Sequence, residues 1–129
     1  MTSRGESVPA ALAAAVIGRR QVSFCYAQDA PGAGPRVISP HAIYRTAAGL
    51  VRLQGVQVAG PTSQGQADLP GWRTFDLSLM SGLETLPGRF EVAPEFRPDS
   101  PAYRRMIVDC VRGWAGARPR HQTAPPGRL

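Results

Sequence analysis

The sequence predicts a mainly β fold: a small antiparallel β-barrel with one helix before it and one after it. Three observations lead there. Short apolar runs with period-2 alternation fill the middle of the chain. They are punctuated by many of the 14 Gly and 13 Pro residues. Apolar residues at helical spacing are confined to the two flanks. A chain of 129 residues is long enough for one domain with a modest core. The expected organisation is a disordered N-terminus over 1–6, a folded unit over 7–114 and a disordered basic tail over 115–129.

The first helix is expected to start at Ser7 as N-cap, with Pro9 in the first turn, where a missing N–H costs little. Leu12, Val16 and Ile17 would form its buried stripe. Next, Gln21 to Ala27 alternates strictly, with Val22, Phe24 and Tyr26 on one face of a strand. A Gly- and Pro-rich turn leads to Arg36–Thr46, strand-like at both ends and interrupted by Pro40. Proline donates no ladder hydrogen bond, so Pro40 belongs at an edge, a bend or a bulge.

The stretch from Leu50 to Val58 is the next strand. Val51 and Leu53 alternate with Arg52 and Gln54, and the parity flips past Gly55. A bulge at Gly55 would return Val56 and Val58 to the face of Val51 and Leu53, leaving Arg52, Gln54 and Gln57 together on the other. Trp72 to Leu79 reads as its partner strand, in which Arg73 shares a face with Phe75 and Leu77. An arginine in phase with core residues at the end of its strand places a charge at the mouth of a small barrel. Gly82–Leu86 is a last short strand. Ser100 then caps a second helix, with Tyr103, Met106, Ile107, Cys110, Val111 and Trp114 at helical spacing. Short strands with such turns favour a partly closed barrel of the SH3 or Sm type.

Composition bounds the function. The net charge is +6, and all 15 basic residues are arginine. Arginine suits bidentate contacts to phosphate or carboxylate. Half of the excess charge comes from Arg118, Arg120 and Arg128, so the folded part is only mildly basic. The longest apolar stretch, Val8 to Ile17, is too short to cross a bilayer and lacks the flanks of a signal peptide. A cytoplasmic protein is expected. Cys25 and Cys110 stand apart from one another and from His41 and His121, so neither metal-ligand spacing nor a redox pair is evident, and no cofactor is expected. No HExxH, GxSxG, phosphate-binding loop or dinucleotide fingerprint is present. The chain does not read as an enzyme.

Four strings, VSFCY, PRVISPHAI, GLVRLQGVQVAG and GWRTFDLSLMSGL, in this order and spacing, resemble a WYL domain over roughly Val16 to Leu86. The departure is at Val51-Arg52-Leu53, where the family has the Trp-Tyr-Leu of its name. The resemblance implies an SH3- or Sm-like barrel that senses a ligand and contributes to transcriptional or defence regulation, with nucleotide or nucleic-acid ligands in some members. The helix-turn-helix that usually precedes the domain is not legible here, so a standalone module is expected.

Arg73 matches the arginine of the family's R-x-F-x-L strand and is the leading ligand contact. A partly shielded guanidinium needs an anion, from a ligand or from a local carboxylate such as Asp76 or Glu84. His41 is a candidate phosphate donor or stacking ring, or else a hydrogen-bonded structural histidine. Arg52, Gln54 and Gln57 form a polar stripe if Gly55 is bulged. Trp72 offers a stacking platform, with Arg36 and Tyr44 as weaker candidates. The expected ligand is an anion, either a nucleotide or a short single-stranded nucleic acid. The alternative is an interaction or oligomerisation module that engages a partner or a second copy through the Tyr103–Trp114 helix.

Overall fold

The computed structural model describes residues 8–62 and 66–115. It is mainly β, with seven antiparallel strands in one sheet and one helix. The expected disordered ends and the Ser7 cap lie outside the described residues, Ala115 excepted.

Helix α1, Ala10–Gly18, begins after Pro9, which stands at the cap without a side-chain hydrogen bond. It ends because Arg19 adopts a left-handed conformation (φ 57°), and its N–H bonds the carbonyls of Ala15 and Val16. Leu12, Ala13, Ala15 and Val16 face the core. Ile17, expected in that stripe, is 41% exposed. The small alanines lie against the sheet in its place, which brings the helix backbone close.

Strand β1, Arg20–Tyr26, follows directly. Its alternation holds, with Val22 and Phe24 fully buried. Strand β2, Arg36–Arg45, is the spine. Its first part pairs with β1, its second with β6, and most of its length with β3. The irregularity expected around Pro40 is a bulge: Pro40 pairs with Gly55 and Ala42 with Gln54, leaving His41 as the extra residue.

Strand β3, Val51–Ala59, follows the hairpin turn and departs from the expected pattern. It has no bulge at Gly55, since the pairing with β4 runs without a break from Arg52–Asp76 to Gln57–Gly71. Val51, Leu53, Gly55 and Gln57 all face inward, and Val58 is exposed. The glycine answers a close approach: a Cβ there would lie 2.6 Å from the Ser39 carbonyl and 2.7 Å from Ile38 Cγ2.

Strand β4, Gly71–Asp76, stops short of the expected Leu79, because Leu77–Leu79 winds into a 3₁₀ turn. Asp76 caps that turn, its carboxylate accepting from the Ser78 N–H. Strand β5, Met80–Arg89, is longer than expected and pairs with β1. The strand path β4-β3-β2-β1-β5 is therefore an open sheet and not a closed barrel. Its two ends are consecutive in the chain and meet through the 3₁₀ turn, whose donors are spent on Asp76 and on the Leu77 carbonyl. The Tyr26 hydroxyl, accepting from the Asp76 N–H at 2.8 Å, ties β1 to that corner.

The expected C-terminal helix does not exist. Arg105–Asp109 is strand β6 and Gly113–Trp114 is β7. Asp109 turns the chain between them: its Oδ1 accepts from the N–H groups of Val111 (2.8 Å) and Arg112 (2.7 Å). Gly113 then takes φ +86°. A short apolar run at i, i+3, i+4 does not separate helix from strand, and the β-branched Ile107–Val108 pair favours the strand. Phe24, Phe75, Leu53, Ile38, Ile43 and Leu12 form the centre of the core. Each such side chain contributes about 1.5–3 kcal/mol on burial.

Candidate functional site

Strand parity distributes the expected site residues over three places. The first is the corner near the 3₁₀ turn. Arg36 is buried there beneath the rings of Tyr26 and Phe75, 5.6 and 5.3 Å from their centroids. Its Nε and Nη2 donate to both Asp29 oxygens (2.9 and 2.6 Å), and Nη1 donates to Gln57 Oε1 at 3.0 Å. The Gln57 amide in turn donates to the carbonyls of Ala59 (3.1 Å) and Pro61 (2.8 Å). Every polar group of this network is turned inward. The hydrogen bonds from Arg36 hold the Asp29 carboxyl below its ordinary value. Arg36 and Gln57 are thus brought together in a closed structural pair.

The second place is the inward side of β4. Arg73 stands opposite Gly55 in the ladder, where no side chain blocks it. It folds back over Gly71, whose absent Cβ would lie 2.7 Å from Nη1. Nη1 donates to the Trp72 carbonyl at 2.9 Å and Nη2 to Thr62 Oγ1 at 3.2 Å. Nε is buried without a partner, alone in this among the described buried side-chain nitrogens and oxygens. Neither carboxylate considered as a local partner forms an ion pair with it: Asp76 caps the 3₁₀ turn, and no ion pair involves Glu84 among the described residues.

The third place is the outer face of β2, β3 and β4, where Arg52, Gln54, Trp72 and Tyr44 lie. The loop Phe90–Tyr103 covers much of it. His41, pushed out by the bulge, is buried beneath that loop among Trp72, Phe90 and Phe96, with ring centroids at 4.9, 4.9 and 5.3 Å. Its Nδ1 donates to the Ser39 carbonyl (2.9 Å) and Nε2 accepts from the Ala93 N–H (3.0 Å). The Ala93 contact fixes this tautomer. Burial, the largest influence, holds the imidazole below its ordinary pKa. With both nitrogens engaged, His41 is a clamp for the loop.

Beside it the Trp72 indole N–H donates to Glu95 Oε2 at 2.8 Å, and Thr74 Oγ1 donates to Gln54 Oε1 at 3.0 Å. The Trp72 bond is the main reason the Glu95 carboxyl lies below its ordinary value. A groove of about 290 Å³ opens here, lined by Gln54, Trp72, Glu95, Phe96 and Tyr103 among others. Tyr44 meets Tyr103 edge-on at 5.0 Å.

Sequence reading missed Asp29, Glu95, Phe96 and Tyr103 as members of these places. Asp29 was readable only as a turn residue, and Tyr103 only as part of a helical stripe. Cys110, buried after β6, has its thiol pushed up to about 11 by burial. No group of three or more potential metal ligands occurs among the described residues, and none of their helices is long and apolar enough to cross a membrane.

The fold and these places define a small, mainly β module with an arginine whose Nε is unpaired on one side and an aromatic groove on the other. No family model matches the chain, and no curated protein matches it. Among solved structures it is similar to proteasome accessory factor B/C (PafBC) of Arthrobacter aurescens, with a TM-score of 0.49 and 24% sequence identity. That similarity covers 67% of this chain and 13% of the other, so the chain spans a small fraction of that protein's length.

Proposed function

We propose that the chain is a non-enzymatic sensing module that binds an anionic ligand, a nucleotide or a short single-stranded nucleic acid, through Arg73. One observation carries this reading. The Arg73 guanidinium is half-buried, has no carboxylate partner among the described residues and leaves its Nε unpaired. A shielded charge without a counter-charge is costly, and an anion beside it removes that cost. The regulatory setting, transcriptional or defence-related, follows from the resemblance of the strand strings to WYL domains. Arg36 and Gln57 have structural partners, so the ligand contacts reduce to Arg73 with the neighbouring Thr62.

Titration of the full chain with short oligonucleotides and cyclic nucleotides tests the reading. Arg73→Ala should weaken the response about tenfold or more. Identical responses from wild type and variant, or none from either, rule it out.

A second reading, an interaction module, is favoured by Val111 and Trp114, which are 49% and 44% exposed on the β6–β7 turn. Tyr103, Met106, Ile107 and Cys110 pack against the chain's own core, so what the Tyr103–Trp114 segment offers a partner is this turn. Light scattering of wild type and Trp114→Ser decides: a monomer in both cases discards it.

A further inference from the structure

We infer that the outer face holds a second site, one that takes a nucleoside phosphate, with the base against Trp72 and Tyr103 and the phosphate on Arg45, Arg104 and Arg105. The aromatic groove does not end at Tyr103. A second groove of about 590 Å³, lined by Arg45, Thr46, Arg104 and Arg105 among others, shares Ser100 and Tyr103 with it. The two form one track, aromatic at one end and cationic at the other.

The cationic end is built from opposed like charges. Arg45 and Arg105 are register partners across β2 and β6, and Arg104 is the next residue. Like charges directly opposite one another destabilise a sheet, and a bound phosphate reverses that effect. Arg45 Nη1 donates to the Gly49 carbonyl, which directs its guanidinium towards the β2–β3 turn. The carboxylate in this groove, Asp99, accepts from Arg112 at 3.1 Å.

The aromatic end suits a heteroaromatic ring. Trp72 and Phe96 are stacked at 25°, and Phe96 leads to Tyr103 at 5.9 Å between centroids. Gln54 spends its carbonyl oxygen on Thr74, which leaves its amide N–H groups for a ring acceptor. The Glu95 carboxylate, fixed by Trp72, can accept from an exocyclic amine and repels phosphate. Arg97 stands nearby with Nη1 tied to the carbonyls of Pro94 and Phe96. The charges therefore orient the ligand, amine towards Glu95 and phosphate towards Arg105. This inference rests on the anionic ligand class of the sensing reading, and it uses residues on the opposite side of β4 from Arg73.

Calorimetric titration of the full chain with AMP, adenosine and inorganic phosphate tests it. AMP should bind more tightly than either fragment. The double variant Arg104→Gln/Arg105→Gln, at two exposed positions, should weaken AMP at least tenfold and leave adenosine unchanged. Gln54→Ala should weaken AMP and adenosine alike, and Arg73→Gln should leave the binding event that Gln54→Ala weakens unchanged. The inference is overturned if AMP binds no better than phosphate, or if the double variant binds it as wild type does. If Arg73→Gln alone abolishes AMP binding, this site falls and the Arg73 reading stands. A strand that binds where AMP does not also overturns it.

Discussion

His41 shows how one residue's surroundings decide its role. A histidine two residues after Ser39, in a bulged strand, could have faced solvent. Here it donates to the Ser39 carbonyl and accepts from the Ala93 N–H, which requires the neutral ring. Its folded pKa lies below the ordinary 6.5, chiefly through burial; the Ser39 carbonyl and then Glu95 oppose the shift, and Arg19 adds to it. Below pH 6.5 the unfolded chain therefore binds the proton more readily, and stability falls as pH drops towards the folded value. Thermal unfolding should show a lower midpoint at pH 5 than at pH 7.5. His41→Phe should cost about 1–3 kcal/mol, by orphaning the Ala93 N–H, and should flatten that slope. A slope unchanged in the variant would place the titration elsewhere. Asp29 acts in a separate window: its stabilisation is present above its ordinary 3.8 and is lost as pH falls through its lowered folded value. The sequence showed the alternatives for His41 but not the choice, because the acceptor and donor come from Ser39 and a distant loop. Arg36 was legible as a charge in a strand, and its partner Asp29, seven residues away across a turn, was not.

At the scale of elements, alternation was informative where both neighbours of a strand are strands. It placed β1, the ends of β2 and β3, and Pro40 marked the bulge; at the edge strand β4 it overran into the 3₁₀ turn. It failed at Gly55 because a buried glutamine breaks the apolar pattern without breaking the strand. Gln57 is inward because Arg36, Ala59 and Pro61 satisfy its amide, and apolar Val58 is outward. The helix expected over Tyr103–Trp114 failed for a different reason: Asp109, which interrupts the apolar run, is a fully buried turn-former. That assignment predicts the effect of removing it. Asp109→Ala leaves the N–H groups of Val111 and Arg112 without their acceptor and Arg112 Nε without its carboxylate. Urea unfolding should register a loss of about 2–4 kcal/mol. Were this segment helical, the same change to alanine would be neutral or stabilising, so the sign of the effect distinguishes the two structures.

For the whole molecule the question is whether an anion is drawn by a site or by the overall charge. The chain carries +6, and the three arginines beyond residue 115 supply half of it. Bulk attraction of this kind is screened over about 8 Å at physiological salt, while a partly buried contact is screened less. The two regimes differ in how binding of a short single strand responds to salt. Each phosphate neutralised contributes about −0.7 to the slope of log K against log salt. Recognition through Arg73 alone predicts a slope near −0.7, and a strand that sets a separate phosphate on each of Arg45, Arg104 and Arg105 predicts one near −2. In either case, ending the chain at residue 115 should leave the slope unchanged. The appropriate arginine variant should make it shallower by about 0.7 for each phosphate no longer neutralised. A steeper slope that collapses on truncation would mean that the terminal arginines do the binding and that neither place on the sheet is a site. The affinity at a single salt concentration cannot separate these cases, because a strand held loosely by many charges and one held closely by a few can bind equally well at one point. The slope, measured on the full chain, the truncated chain and the two arginine variants, reads out the number of neutralised phosphates directly.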